Sequence, residues 1–480
     1  MGKVFSHVLG VTATNASEER QRGKAPMGST ERSGERLVLG RRPESWLGNI
    51  YDNGKEPSMS TFKAIILAAG RGTRMKSDLP KVLHKVCGKT VLEYVLDITK
   101  ALRSLTTYVV VGHGSQKVKD AVGDGFEFVQ QDQLLGTADA VRRCSRYLKN
   151  YQGTVLVLCG DTPLLSKDIV AALLKKHHRA KASATVLTAT IESPHGYGRI
   201  VREGNGAIKA IREEKDASDT EVKIKEINVG VYCFKSKDLF DILKKVKLNT
   251  GKKEFYLTDV IELLLAKLKK VETFTTQDET SAFGVNTRED LGHAQAIIRR
   301  RILSKHMVSG VTIVDPLTTF IEAGVAIGRD TVIHPMTVIR TDVRIGKNCS
   351  IGPMAHLRQG TRISDGVEIG NFAEVSRTSI GPGVFQKHFS FLGDAVIGRG
   401  VNIGAGVVTA NFDGVNKNKT FIGAQAFIGS DAILVAPNKI GAGAMIGAGC
   451  VLAKGKNIPA GMVAVGVPAR VIKKVSKGKI

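Results

Sequence analysis

From Ile321 onward an aliphatic residue recurs at every sixth position, through Ile327, Ile333, Ile339, Ile345, Ile351, Leu357, Ile363 and Ile369 to Val375, several of them followed by glycine. The register returns at Ile397 and Ile403, and again from Ile422 to Ile458. A period of six matches neither the 3.6-residue repeat of an amphipathic helix nor the alternation of a half-buried strand. It is the spacing of a left-handed parallel β-helix of hexapeptide repeats, in which each six-residue face makes one short strand and its aliphatic side chain fills an interior stack. The register breaks between Val375 and Ile397 and between Thr409 and Ile422. Loops are expected to leave the coil at such breaks and to build its binding face.

At 480 residues the chain is long enough for two or three domains. Its six cysteines, at 87, 144, 159, 233, 349 and 450, form no C-x-x-C pair. This argues against a disulfide framework or a zinc knuckle and for reduced thiols in a cytoplasm. No apolar run approaches the roughly 20 residues needed to span a bilayer, and the amino terminus lacks a signal peptide's apolar segment, so membrane insertion and secretion are not expected. The net charge of +25 is spread along the chain with few interleaved aromatics. That pattern fits a solvated basic surface attracting phosphorylated substrates, not a nucleic-acid interface. Residues 1–58 are polar and aperiodic, and are expected to be a disordered extension. Met59 directly precedes the first strand and is an alternative start.

Lys63 to Leu67 reads as a strand and runs into Ala68-Ala69-Gly70-Arg71-Gly72-Thr73-Arg74-Met75. Glycines after a strand let backbone N–H groups approach phosphate oxygens. The dinucleotide and P-loop patterns are both absent. Val91 to Leu102 reads as an amphipathic helix, and Tyr108 to Val111 and Thr154 to Leu158 as further strands. This alternation predicts a mainly parallel sheet with ligands at the carboxyl ends of its strands, where Gly160-Asp161 falls. A carboxylate there suits magnesium, with Arg71, Arg74 and Lys81 as nearby cations and Gly136-Thr137 as a second glycine turn.

The segments LAAGRGTRM, LPKVLH, QLLGTADA, CGDTPLL, GYGRI, EINVG and FGVN follow in that order from Leu67 to Asn286. Together they resemble the nucleotidyltransferase domain of the bifunctional UDP-N-acetylglucosamine pyrophosphorylase / glucosamine-1-phosphate N-acetyltransferase family, the GlmU type. The resemblance implies a Rossmann-like α/β domain over 59–286 that uses UTP and Mg2+. On it, Leu67, Ala69 and Gly70 line the uridine and phosphate site, and Arg74 and Lys81 serve catalysis on the triphosphate. Gln131, Gly136 and Thr137 read the uracil; Gly198, Glu213 and Asn228 hold the N-acetylated sugar; Asp161 and Asn286 carry the metal. Thr287 to Ser304 reads as helical, and 287–310 is expected to link this domain to the solenoid at 311–475.

Solenoids of this kind often form acyltransferases. Transfer of an acetyl group to an amine calls for a base of near-neutral pKa, and His388 lies beside the first break. KHFSFLGD, VNIGAG, ANFDGVNK and IGSD resemble the acetyltransferase domain of the same family. That resemblance implies His388 as general base, Arg358, Asn402 and Lys417 on the acceptor sugar phosphate, Ala405, Asn411, Ser430 and Ala448 on acetyl-CoA, and a homotrimer with shared sites. The chain departs from the family at Ser376, where a lysine is expected with Arg377 beside it, at Phe391 and Phe412 in place of tyrosines, and near Gly466 in place of a basic residue. Two readings follow. Either the chain acetylates glucosamine 1-phosphate and uridylylates the product, or it is a nucleotidyltransferase whose solenoid only trimerises it or acetylates a different sugar. A basic scaffold for nucleic acid would need clustered cations and aromatics, which the sequence lacks.

Overall fold

The computed structural model describes residues 61–475 apart from 250 and 252, so the expected extension over 1–58 lies outside the described residues. Strands β1 (Phe62–Leu67), β2 (Thr107–Val111), β3 (Glu127–Gln130), β4 (Thr154–Cys159), β5 (Ala184–Thr190), β6 (Arg199–Arg202), β7 (Ile208–Arg212), β8 (Glu226–Lys235) and β9 (Val271–Thr276) form one sheet. Its main path runs β9-β5-β8-β4-β1-β2-β3, with β6 paired to β8 and β7 to β6. The apolar runs KAIIL, YVVV and VLVL make the centre of this sheet because they are covered on both faces. Ile65, Val110 and Val157 pack into one core, and Ile66, Val109 and Leu156 into the other. Pairing is parallel from β4 through β3, but β8 runs antiparallel to both β4 and β5.

Helices α1 (Val91–Ala101), α2 (Thr137–Arg143) and α3 (Lys167–Ala180) flank the sheet, and α4 (Arg288–Val308) follows it. Two helices begin with reciprocal caps, Thr90 with Glu93 for α1 and Thr287 with Asp290 for α4. Each cap satisfies backbone donors that the first helical turn leaves unpaired.

The carboxyl-terminal half is a left-handed parallel β-helix of three stacked sheets. Ile333 pairs with Ile351 and Ile351 with Ile369, which is eighteen residues per turn. The interior isoleucines, such as Ile333, Ile339 and Ile351, are fully buried; each contributes about 1.5–3 kcal/mol by leaving water.

The first break is not a loop. Ile369 pairs with Gln386, Val375 with Leu392 and Ile380 with Ile397, so the coil continues at seventeen residues per turn. One residue is lost at the corner after Ala373–Ser376 and a second at the corner after Ser390–Gly393, and buried Gln386 takes an interior place that the aliphatic register marks elsewhere. His388 therefore stands in an ordinary corner of the coil and not in an excursion. The second break is the expected loop: Ile397 pairs with Ile422, a turn of twenty-five residues, and Asn411 to Asn418 project from it.

The His388 corner depends on Gly370 one turn earlier. A Cβ at 370 would lie 1.8 Å from the Lys387 carbonyl oxygen. Gly370→Ala is therefore expected to destabilise the protein by about 1–3 kcal/mol, read as a lower melting temperature, by displacing the backbone at Lys387 and His388.

Candidate active sites

The loop after β1 and the residues after β4 open into a cleft of about 890 Å³ lined by Leu67, Ala69, Gly70, Arg71, Lys81, Gln131, Gly136 and Thr137. A second lobe of about 760 Å³, lined by Arg74, Tyr197, Phe283 and Asn286, shares Cys159 and Asp161 with the first. A Cβ at Gly70 would meet nothing within 4 Å. The protein's own packing therefore leaves that side of the loop open to a ligand.

Lys81, Asp161 and Asn286 converge where the lobes join. Lys81 Nζ donates to Asp161 Oδ2 at 2.5 Å and to Asn286 Oδ1 at 2.9 Å, and Arg74 Nη2 donates to the same Asn286 oxygen at 2.9 Å. Lys81 comes from a short 3-10 turn at Lys81–Leu83 and Asp161 from the end of β4. Asn286 is fixed by the cap of α4: the Asp290 carboxylate accepts from the backbone N–H groups of both Asn286 and Thr287 at 2.8 Å. Val285 N–H donates to the Asp161 carbonyl at 2.8 Å, locking the two segments together. Two hard oxygen donors held on one cation suit magnesium, which takes few protein ligands and completes its shell with water and phosphate. Among the described residues no group of three or more His, Cys, Asp or Glu gathers for a metal.

Cys159 borders this junction, but burial, followed by the charge of Asp161, pushes its thiol up to about 12. That direction disfavours the thiolate, the nucleophilic form of a cysteine. Gly198 directly precedes β6, Glu213 directly follows β7, and Asn228 lies in β8. Asn228 N–H donates to the Gly198 carbonyl at 2.8 Å, and a Cβ at Gly198 would lie 3.6 Å from Glu213 Oε1. These three form one patch beside Cys159, close enough for the Glu213 charge to act on its thiol.

Gly136 starts α2 with φ of 97°, and a Cβ there would sit 2.6 Å from the Phe255 carbonyl oxygen. The Phe255 N–H donates to Leu135 O at 2.7 Å and its carbonyl accepts from Ala138 N–H at 2.9 Å, so its peptide clamps the turn. Gly136→Ala is expected to displace this turn and to destabilise the protein by about 1–3 kcal/mol, read as a lower melting temperature.

In the solenoid His388, Ala405, Ser430 and Ala448 each lie two residues past the inward residue of the first sheet, at Gln386, Ile403, Ile428 and Ile446. They make one line along a single corner. The backbone ladder Gly406 N–H to Phe389 O, Asp431 N–H to Ala405 O and Gly449 N–H to Ser430 O, at 2.7–2.8 Å, holds it. Asn402 stands on the first sheet beside this corner. Arg358, Asn411 and Lys417 lie at the next corner, across the second sheet, so one chain does not gather all of these residues.

The halves carrying these sites match known families. Residues 64–257 match the MobA-like NTP transferase domain, and residues 324–359 the bacterial transferase hexapeptide of six repeats. The bifunctional protein GlmU of Alkaliphilus metalliredigens is 41% identical over 438 residues, 84% of this chain and 95% of that protein. The chain belongs to the bifunctional GlmU family. GlmU of Bacillus cytotoxicus is 45% identical over 412 residues, 79% of this chain and 90% of its own length, and GlmU of Geobacillus sp. is 42% identical over 407 residues, 78% and 89%. The chain is thus a transferase with a nucleotidyltransferase half and a hexapeptide acyltransferase half.

Where the chain departs from the GlmU pattern, the structure shows what the substitutes do. Ser376 is fully buried and its Oγ accepts from Arg377 Nη1 at 2.8 Å. Arg377 grips both oxygens of Asp394, at 2.7 and 2.8 Å, and Asn411 Nδ2 donates to the same carboxylate. The Arg377 hydrogen bonds hold the Asp394 carboxyl below its usual range. The arginine's charge is therefore paired with Asp394 within the protein.

Several residues of these sites carry no signal in the sequence. Asp139 accepts from Gln131, and Tyr232 Oη accepts from Asn228 Nδ2 at 2.6 Å. Gln386 Nε2 donates to Ser390 Oγ at 2.9 Å, and that hydroxyl donates to the His388 carbonyl at 2.9 Å. Only the loss of an aliphatic residue at 386 could have marked the last of these.

Proposed function

We propose that the chain makes UDP-N-acetylglucosamine in two steps, acetylating glucosamine 1-phosphate with acetyl-CoA and then transferring a uridylyl group from UTP to the product. The observation that carries this reading is the convergence of Lys81, Asp161 and Asn286 between the two lobes of the cleft. One lobe has the glycine turns for a nucleotide, and the other borders the Gly198, Glu213 and Asn228 patch for a sugar.

In the first step His388 takes the proton of the acceptor amine as its nitrogen attacks the thioester carbonyl, and CoA leaves as the thiol. Arg358, Lys417 and Asn402 hold the sugar phosphate, while Ala405, Ser430, Ala448 and Asn411 face acetyl-CoA. Arg358 enters paired with Glu374 at 2.8 Å. With Ser376 for lysine, the acceptor phosphate meets fewer cations, and a weaker KM for glucosamine 1-phosphate is expected than for the uridylyl acceptor.

In the second step the sugar phosphate oxygen attacks the α-phosphorus of UTP in line and pyrophosphate leaves. Lys81 and Arg74 neutralise triphosphate oxygens, Leu67, Ala69 and Gly70 admit the nucleotide, and Gln131, Gly136 and Thr137 contact the base. Asp161 and Asn286 would hold Mg2+, which would offset the negative charge developing on the phosphates.

The division of acceptor and acetyl-CoA residues between two corners supports a homotrimer in which neighbouring solenoids complete each site. Exposed Phe372 and Phe389, at 61% and 54%, provide apolar surface at the His388 corner for such a neighbour. Among the described residues no helix is long and apolar enough to cross a membrane, and UTP and acetyl-CoA as substrates would support a cytoplasmic reaction. The test is purified protein with magnesium, UTP, glucosamine 1-phosphate and acetyl-CoA, with CoA thiol and UDP-sugar both followed. Product formed only from N-acetylglucosamine 1-phosphate, with no thiol released, would leave the solenoid as a trimerising element.

A further inference from the structure

Gln131 is buried at the floor of the nucleotide lobe, 3% exposed. Its Nε2 donates to an Asp139 carboxylate oxygen at 3.0 Å and to the Gly136 carbonyl at 3.1 Å. A primary amide has two N–H donors and one carbonyl acceptor. Both neighbours of the nitrogen are oxygens that only accept, so the opposite rotamer would press Oε1 against them. The two hydrogens are therefore both used within the protein. Oε1 is the one group of the amide left for a ligand. Asp139 is itself buried, 6% exposed, and Arg143 Nε donates to the same carboxylate oxygen at 3.4 Å, which keeps the acceptor in place.

We propose that Asp139 sets the base specificity of uridylyl transfer by fixing the Gln131 amide so that it presents a lone acceptor to the base. Uracil carries N3–H and donates to such a group. Cytosine carries a lone pair at N3 and meets it with repulsion. Thymine shares the N3–H, so the device separates uracil and thymine from cytosine and not from each other. Asp139 touches no substrate; it is a positioning residue, and the proposal rests on the reading of Gln131 as a base contact. Asparagine at 139 would bring its own NH2 donors, remove one of the two acceptors that oppose the flipped Gln131 and so let Nε2 face the cleft in part of the population, with only the Gly136 carbonyl still against it.

The measurement is kcat/KM for UTP and for CTP with N-acetylglucosamine 1-phosphate, following pyrophosphate, in the full chain carrying Asp139→Asn, Asp139→Ser or Gln131→Met. Asp139→Asn is expected to lower the UTP:CTP ratio by roughly tenfold to a hundredfold, mainly through a higher KM for UTP and a lower one for CTP. Asp139→Ser, whose hydroxyl can donate or accept, carries the same expectation. An unchanged ratio in both variants overturns the proposal. Equal loss with both nucleotides, or failure of both variants to fold, assigns Asp139 a structural role and overturns it as well. Gln131→Met separates the two layers: if it leaves the ratio intact, Gln131 does not read the base, whereas collapse of the ratio in Gln131→Met alone means that the base contact stands and the lock does not.

Discussion

Asp161→Asn is expected to lower uridylyl transfer by about a hundred- to a thousandfold, with CoA release unchanged, because it removes the anionic oxygen that would hold Mg2+ at the reacting phosphates. The substitution keeps the shape of the side chain, so the cleft survives. It deletes the charge that opposes Lys81 Nζ at 2.5 Å and leaves two neutral ligands where an oxygen anion and a neutral amide oxygen now converge. Lys81 is only 14% exposed and Asp161 25%, so solvent screens their pairing less than at an open surface. The deficit should appear mainly in kcat, and raising magnesium should recover part of it if the lost charge acts through the metal. A kcat within threefold of the parent would remove Asp161 from the reaction.

His388→Ala should reduce CoA release by about a hundred- to ten-thousandfold, the contribution of a positioned general base. Uridylyl transfer to added N-acetylglucosamine 1-phosphate should be untouched, since that chemistry lies at the carboxyl ends of β1 and β4. His388 is exposed, so its removal leaves no cavity and should not move the melting temperature. Loss of both activities would contradict separate sites. Retention of CoA release would transfer the base role elsewhere and strengthen the reading in which the solenoid serves assembly.

The nucleotide site was legible in the sequence as far as its backbone. A β-rich run ending in glycines dictates a strand and an open loop whatever surrounds them, and KAIIL-AAGRG became β1 and a turn that lines the cleft. Lys81, Asp161 and Asn286 could be named from the family resemblance, but the 205 residues between Lys81 and Asn286 hide their meeting on a shared hydrogen-bond centre. Asp139 sits inside the quoted segment QLLGTADA and passed unnoticed. Its importance lies in which atom of Gln131 it faces, and that is set by the turn of α2 against β3. The solenoid shows the opposite error. Losing the aliphatic register suggested a loop at His388, yet a coil can shed one residue at a corner and accept a buried glutamine without opening.

The sequence alone determined the repeat, because a six-residue period can bury its apolar side chains in one way only, by stacking turn on turn, and it determined the strand-and-glycine order of the catalytic half for the same local reason. The tertiary structure decided everything that depends on direction between distant residues. It set the antiparallel entry of β8, the junction of Lys81, Asp161 and Asn286, the placing of His388 and Arg358 at different corners, and the engagement of Arg377 by Asp394. Hydrogen bonds and ion pairs are short-ranged and directional, so which partners meet is fixed by the packed path of the chain and not by the order of its letters.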